Sequence, residues 1–155
     1  MNTFRFLLLI SMAVWVGMLI FFTFFITPSI FKVLPRELAG DLVGVIFPRY
    51  WMIGYAAGVL SLLSIIAISL IEKTFPTAVL SLVALMTALT FYSGLVVGAR
   101  AMTMSAEIRS IQDPVKKEEM RASFKKVHAK SAVINLAIMA GGVTAPYFAG
   151  SGAGL

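Results

Sequence analysis

The sequence predicts an all-α polytopic membrane protein built as a four-helix bundle. Hydrophobic residues make up 59% of the 155 residues and charged residues only 13%, and the mean hydropathy is +0.94. A soluble domain is about one-quarter charged, so a soluble fold is excluded. Four apolar runs each approach the ~20 residues that a helix needs to cross the hydrocarbon core. We therefore predict a single four-span domain over residues 1–155, with spans at about 6–28, 51–71, 76–99 and 128–148.

The distribution of positive charge predicts the orientation of these spans. Eleven Lys and Arg residues lie in or beside the connections between spans 1 and 2 and between spans 3 and 4, whereas only Arg5 and Lys73 lie at the other face. Cytoplasmic loops retain Lys and Arg. We predict a multi-pass plasma membrane protein of the bacterial inner membrane, with both termini outside and both charged connections cytoplasmic. Orientation in the lipid bilayer then accounts for the net charge of +6, and no nucleic-acid partner is expected.

The connection between spans 1 and 2 predicts a short helix of its own. Pro28 should kink or end span 1, because proline lacks a backbone donor and clashes with the preceding turn. Residues 32–49 are too charged to span, but Pro35 suits a first helical turn and apolar residues follow at helical spacing. We predict an amphipathic helix in the membrane interface, stopped by Pro48 and followed by Tyr50 and Trp51 as interfacial anchors. This segment is either a linker or a gate, whose entrance residues would be Pro28, Pro35, Phe47 and Pro48.

Pairs of glycines four residues apart lie in spans 2 and 3. They are Gly54 and Gly58 in span 2, and Gly94 and Gly98 in span 3. Small residues at this spacing let two helix backbones approach closely in lipid. The glycines therefore predict helix packing, either within one bundle or between copies in a homo-oligomer.

Beyond Arg100 the helical pattern of span 3 continues, and Asp113 with Pro114 predicts the start of the next helix. Aspartate is a favoured N-cap, and proline is favoured at the first helical position. Spans 3 and 4 should therefore extend into the cytoplasm as a helical hairpin over about residues 100–130.

The candidate functional residues are polar side chains near the start of span 4. His128, Ser131 and Asn135 follow at steps of three and four residues, which places them near one helix face, and Arg100 lies at the same boundary. A polar group in lipid needs a partner. These residues either bond across the bundle or line a polar pathway or ligand site that opens to the cytoplasm. None of them is a carboxylate, which disfavours proton-coupled transport by a buried acid.

Metal and cofactor sites have little support in the sequence. Cysteine is absent, which excludes disulfides, thiolate metal sites and iron–sulfur ligation. Met102, Met104 and His128 are weak candidates for a copper(I) site, because thioethers and imidazole suit that ion. A single histidine with a methionine could also hold haem. We expect neither as a resident cofactor, and without catalytic triads or phosphate loops we expect no enzyme.

Several motifs in order resemble the transmembrane-protein-205-like family of small four-span proteins. They are Trp15 and Gly17, Phe31 with Leu34-Pro35-Arg36, Gly40, Phe47-Pro48 with Tyr50, Ala99-Arg100, and Arg121, Phe124, His128, Ser131, Asn135 and Leu136. The bacterial members are described as a domain of unknown function. The resemblance implies a four-helix membrane protein and, from the animal member, tolerance to platinum compounds. This chain has Met102-Thr103 where the animal pattern has an acidic residue and proline, so that acidic residue's role does not carry over.

Together, these patterns predict a self-associating membrane protein for transport or tolerance of small cationic or metal-containing solutes. One alternative is a haem- or metal-binding redox component. Another is a scaffold that does not transport, whose basic hairpin attracts anionic lipid, each surface Lys or Arg contributing about 1 kcal/mol.

Overall fold

The computed structural model describes the backbone of residues 2–150 and the side chains of residues 3–145. Residues 2–150 form helices and short connections, with no strand. The elements are α1 (Asn2–Phe21), a π-helical segment π1 (Phe22–Ile26), α2 (Thr27–Val33), α3 (Arg36–Glu72), α4 (Thr77–Tyr92), a second π-helical segment π2 (Ser93–Gly98), α5 (Ala99–Ser110) and α6 (Pro114–Gly150).

These elements join into four spans. Span 1 is α1, π1 and α2, span 2 is α3, span 3 is α4, π2 and α5, and span 4 is α6. All four are long and apolar enough to cross a membrane. This confirms the all-α four-helix class, and the chain is an integral membrane protein.

The apolar side chains of each span divide between an inner and an outer face. Ile65, Met86 and Ile138 are at most 1% exposed. In contrast, Leu63, Leu85 and Val133 on the same three spans are 57–65% exposed. Large apolar side chains on the outside of every span suit hydrocarbon rather than water, because lipid solvates them without penalty. The bundle therefore has a packed interior and a lipid-facing surface.

The spans pack in chain order, and the ring closes. Span 1 packs against span 2, span 2 against span 3, span 3 against span 4, and span 4 returns to span 1. The glycine pairs lie between spans 2 and 3, with Gly54 and Gly58 facing threonines of α4 and with Gly94 and Gly98 facing aromatic rings of α3. A Cβ atom at Gly58 would lie 3.0 Å from the hydroxyl of Thr87. These glycines let the two helices approach within one bundle.

The prediction of a separate interfacial helix stopped by Pro48 is wrong. α3 runs without a break from Arg36 to Glu72, with Pro48 inside it. Its 37 residues measure ~55 Å, well beyond the ~30 Å of the hydrocarbon core. Proline removes one helical hydrogen bond, but Phe47 packs on the core and the side chain of Asp41 is bonded to Arg109 of α5, which supports the early turns. Residues 36–48 therefore continue the helix of span 2 and do not form a separate helix.

The rings of Tyr50 and Trp51 also differ from their predicted position. They are 6% and 9% exposed, buried inside the bundle. They were expected to anchor span 2 at the membrane surface. Because the helix begins at Arg36 rather than after Pro48, these two residues lie within its packed middle part instead of at its start.

Pro28 does not end span 1, which continues to Val33. The segment π1 ends two residues before Pro28. The backbone N–H of Thr27 bonds to the carbonyl of Phe22, five residues earlier. Proline crowds the carbonyl four residues before it, and a wider turn relieves that clash. Span 1 therefore passes Pro28 with a π-helical segment just before it instead of ending there.

α5 packs against α6, which confirms the predicted helical hairpin. Asp113 caps α6 as expected, because its carboxylate accepts the backbone N–H of Val115 at 2.9 Å. We call the end of the bundle that carries the turn at residues 111–113 the hairpin end. At the opposite end the guanidinium of Arg5 donates to the carboxylate of Glu72 at 2.9 Å, which ties span 1 to span 2.

Candidate functional site

A small cavity lies where all four spans meet. Trp15, Tyr50, Ser93 and Asn135 each contribute a polar side chain to its lining, one from each span. We call these four residues the central polar site. The space in which the centre of a water molecule fits is about 10 Å³, which is the room that one water needs. The other lining residues are Met18, Leu19, Trp51, Gly54, Thr90 and Ile138.

Three of the four polar groups are buried without a hydrogen-bond partner. They are the indole Nε1 of Trp15, the hydroxyl of Tyr50 and the hydroxyl of Ser93. An unpaired buried polar group costs about 1–3 kcal/mol, so three of them around one cavity need an explanation. Other buried hydroxyls in the bundle donate to the carbonyl four residues earlier, as Ser61, Ser69, Thr87 and Thr90 do.

Glycines in span 2 allow the indole of Trp15 to reach the centre. Trp15 is fully buried. A Cβ atom at Gly54 would lie 3.8 Å from its Nε1, and a Cβ atom at Gly58 would lie 3.1 Å from the far edge of the ring. Without side chains at these two positions the ring can lie flat along span 2, which brings its N–H to the cavity.

Ser93 owes its position to the backbone of span 3. It is the first residue of π2, and its backbone N–H still bonds to the carbonyls of Leu89 and Thr90, four and three residues earlier. π-helical segments inside α-helices are frequent at functional sites, because they change the direction in which the following side chains point.

A cluster of aromatic rings lies beside the cavity, toward the hairpin end. The rings of Phe22 and Tyr50 are 4.8 Å apart, and those of Phe47 and Trp51 stack at 5.0 Å with an angle of 7°. Phe22 also contacts Phe47 at 5.4 Å, so the four rings form one continuous layer. We call Phe22, Phe47, Tyr50 and Trp51 the aromatic layer. Two of its members, Tyr50 and Trp51, also line the cavity.

The cavity lies within the apolar zone. Trp15 is ten residues from Arg5, which is ~15 Å along a helix, and Asn135 is five residues from Lys130, or ~8 Å. None of the ten lining residues is an acid or a base with a formal charge at neutral pH. The site is therefore a neutral cluster of hydrogen-bonding groups surrounded by apolar packing.

Of the predicted pathway residues, the structure brings only Asn135 to this cavity. His128 is exposed, and its ring stacks against Phe124 at 6.3 Å. Arg100 is also exposed, and Ser131 is half-buried. The buried face of α6 centres on Ile134 and Ile138, with Asn135 at its edge, so residues further toward the hairpin end on the predicted face turn outward.

The gate and metal candidates are spread over different places. Phe47 belongs to the aromatic layer, whereas Pro28, Pro35 and Pro48 sit at helix starts or inside a helix away from the cavity lining. Met104 is buried and Met102 is 39% exposed, on different sides of α5. The described residues contain no group of three acidic or histidine ligands. The gate and metal roles stay predictions.

Trp15, Tyr50 and Ser93 were not predicted to belong to a polar site. Tyr50 follows Arg49 and was predicted to be an interfacial anchor, and no local pattern marks Trp15 or Ser93 as part of such a site. The sequence carries no local signal for this site, because the indole of Trp15 meets Gly54 and Gly58 only through the packing of spans 1 and 2.

Part of the chain is similar to a known protein family. Residues 10–110 match a family model described as a domain of unknown function, DUF4149. The matched region holds Trp15, Tyr50 and Ser93, and Asn135 lies beyond it. No curated protein and no solved structure matches the chain. Since the match covers more than half of its residues, this chain belongs to the DUF4149 family.

Proposed function

We propose that this protein transports small solutes across the membrane, or confers tolerance to them, and that the central polar site is where a solute binds on its way. The supporting observation is that each of the four spans places at least one polar side chain on the same cavity, and that three of these side chains have no partner in the protein. Polar groups inside the membrane are functional candidates, and transporters bind substrates near the middle of the bilayer.

The chemistry of the lining favours an uncharged solute within the predicted class of cationic or metal-containing compounds. The indole N–H of Trp15 can only donate a hydrogen bond, so it repels a bare cation and attracts a lone pair. No carboxylate lines the cavity. A neutral metal complex with hydrogen-bonding ligands therefore suits the site better than a free metal ion. The platinum tolerance implied by the family resemblance belongs to this class.

The described conformation is closed. Trp15 is 0% exposed, and the cavity admits one water molecule at most. A solute larger than water can enter only if the spans separate. π1 and π2 are breaks in the regular helices of spans 1 and 3, one beside the aromatic layer and the other beginning at the cavity. Interrupted helices are where transporters rearrange, so these two segments are where we expect movement.

The test is solute uptake by protein reconstituted into lipid vesicles. Vesicles with wild-type protein, with Asn135→Leu and with Leu136→Ala would be given cisplatin, a neutral metal complex, or rubidium ions, and the platinum or rubidium taken up would be measured. Asn135 lines the cavity, whereas the neighbouring Leu136 is 51% exposed on the lipid side, so the two variants are matched.

We expect cisplatin uptake above that of protein-free vesicles, reduced about tenfold by Asn135→Leu, which is the effect of losing one hydrogen bond of ~1.4 kcal/mol. Leu136→Ala should behave as the wild type, and rubidium uptake should stay near the background. Equal cisplatin uptake with and without the protein would contradict transport of this solute class. Equal uptake by wild type and Asn135→Leu would remove the central polar site from the pathway.

A further inference from the structure

The size of the cavity and its unpaired groups together indicate what fills it at rest. The indole N–H of Trp15 and the hydroxyls of Tyr50 and Ser93 have no partner in the protein, and the three residues that carry them all line the same space of about 10 Å³. We propose that this space holds a single buried water molecule, which hydrogen-bonds to side chains from all four spans. The inference concerns the resting state and does not depend on the proposed transport.

The hydrogen-bonding capacity of the four groups matches that of water. Trp15 can only donate, so the occupant must accept at least one hydrogen bond. The hydroxyls of Tyr50 and Ser93 can donate or accept, and the amide of Asn135 can do both. A water molecule accepts two hydrogen bonds and donates two, and buried waters typically have two to four polar partners. One water can therefore satisfy a group from every span.

Other occupants fit less well. A metal cation would face the donor of Trp15 with no carboxylate or other anionic side chain in the lining. An apolar occupant would leave all three orphaned groups unpaired. A second water has no room, since about 10 Å³ is the space for one. The water thus acts as a hydrogen-bonded link between the four spans.

A filled cavity and an empty one respond in opposite ways to removal of a polar atom. If water is present, Tyr50→Phe and Ser93→Ala each remove one of its partners and should lower the melting temperature in detergent by about 2–4 °C. If the cavity is dry, each substitution removes an unpaired buried group and should raise the melting temperature, because the penalty for burying that group disappears.

Ser61→Ala is the matched control. Ser61 is as buried as Ser93, but its hydroxyl donates to the carbonyl of Ala57 in its own helix at 2.8 Å and does not line the cavity. Its substitution measures the effect of deleting a buried serine hydroxyl that already has a protein partner. We expect a smaller decrease than for Ser93→Ala.

A direct measurement is nuclear magnetic resonance on protein labelled with ¹⁵N in the indole rings. The chain has two tryptophans, and Trp51→Phe assigns the two signals. We expect a nuclear Overhauser cross-peak between the Trp15 indole N–H and water, weakened in Ser93→Ala. Its absence from the wild type overturns the proposal, and so does a higher melting temperature in both Tyr50→Phe and Ser93→Ala. A failure of cisplatin transport leaves these outcomes unchanged.

Discussion

Two buried serines in neighbouring spans differ in what their hydroxyls contact. Ser61 is 0% exposed and bonds to the carbonyl of Ala57, whereas Ser93 is 2% exposed and unpaired. Ser61 lies in a regular part of α3, where the carbonyl four residues earlier is in reach. Ser93 opens π2, where the backbone pattern changes. The same residue type can therefore be paired in one span and unpaired in the next, and the sequence alone does not distinguish the two.

Lys73 offers a prediction at the same scale. It ends α3 in the left-handed conformation, with φ of 54° and ψ of 29°. This conformation costs a residue with a Cβ atom about 1–2 kcal/mol, and glycine avoids the cost. We expect Lys73→Gly to increase the free energy of unfolding by about 1 kcal/mol, measured by thermal or chemical unfolding in detergent.

The control for this prediction is Lys73→Ala. It removes the same exposed side chain and charge but keeps the Cβ atom, so it should not reproduce the gain. If both variants were stabilised equally, loss of the lysine side chain rather than relief of the backbone would be responsible.

The contact between α3 and span 3 depends on glycines. A methyl group at Gly98 would overlap the ring of Trp51, which is itself 9% exposed and stacked against Phe47 at 5.0 Å. The ring cannot move aside without disturbing the aromatic layer. At Gly44, in the first part of α3, a Cβ atom would meet nothing within 4 Å.

These two glycines should therefore respond in opposite ways to the same substitution. We expect Gly98→Ala to destabilise the protein by about 1–3 kcal/mol through overpacking. Gly44→Ala should stabilise it by up to ~1 kcal/mol, because alanine favours the helix. Unfolding midpoints in one detergent would compare them. Similar small effects at both positions would show that spans 2 and 3 do not pack as closely as described.

Helix positions were largely predictable at this scale, whereas the effect of prolines on the helices was not. Apolar runs located all four spans, and the Asp113 cap located the start of α6, since both signals are local in sequence. Pro48 was misleading. Whether a proline ends a helix depends on how far tertiary contacts compensate for the lost hydrogen bond. Here the contacts of Phe47 with the core and of Asp41 with α5 do so, and neither is visible in the sequence.

For the bundle as a whole, only part of the central polar site could be predicted. Asn135 was identified because an amide inside an apolar run needs a partner. Trp15, Tyr50 and Ser93 join it only through the way four helices pack, which fixes the depth and rotation of each. The same rotation turns His128 outward. A helix-face argument on one span cannot determine which neighbour covers that face.

One ion pair links two spans at each end of the bundle. Arg5 pairs with Glu72 at one end, and Arg109 pairs with Asp41 at the hairpin end. Beyond its pair, the hairpin end carries many exposed cations, including Lys116, Lys125 and Lys126. Positive residues are retained on the cytoplasmic side during insertion. The charges of the folded bundle therefore favour one orientation, with the hairpin end in the cytoplasm.

This orientation can be tested directly, because the chain has no cysteine and any introduced cysteine is unique. Thr74→Cys places a thiol in the exposed turn between spans 2 and 3, and Gln112→Cys places one in the exposed turn at the hairpin end. In bacterial spheroplasts treated with a membrane-impermeant maleimide, we expect Thr74→Cys to be labelled at once and Gln112→Cys only after lysis. The reverse pattern would place the hairpin outside and contradict the charge argument. Labelling of both variants in intact spheroplasts would indicate a mixed orientation. The positive-inside rule predicts a single orientation from eleven positive residues at one end against two at the other, so the reverse pattern and the mixed pattern would both contradict it.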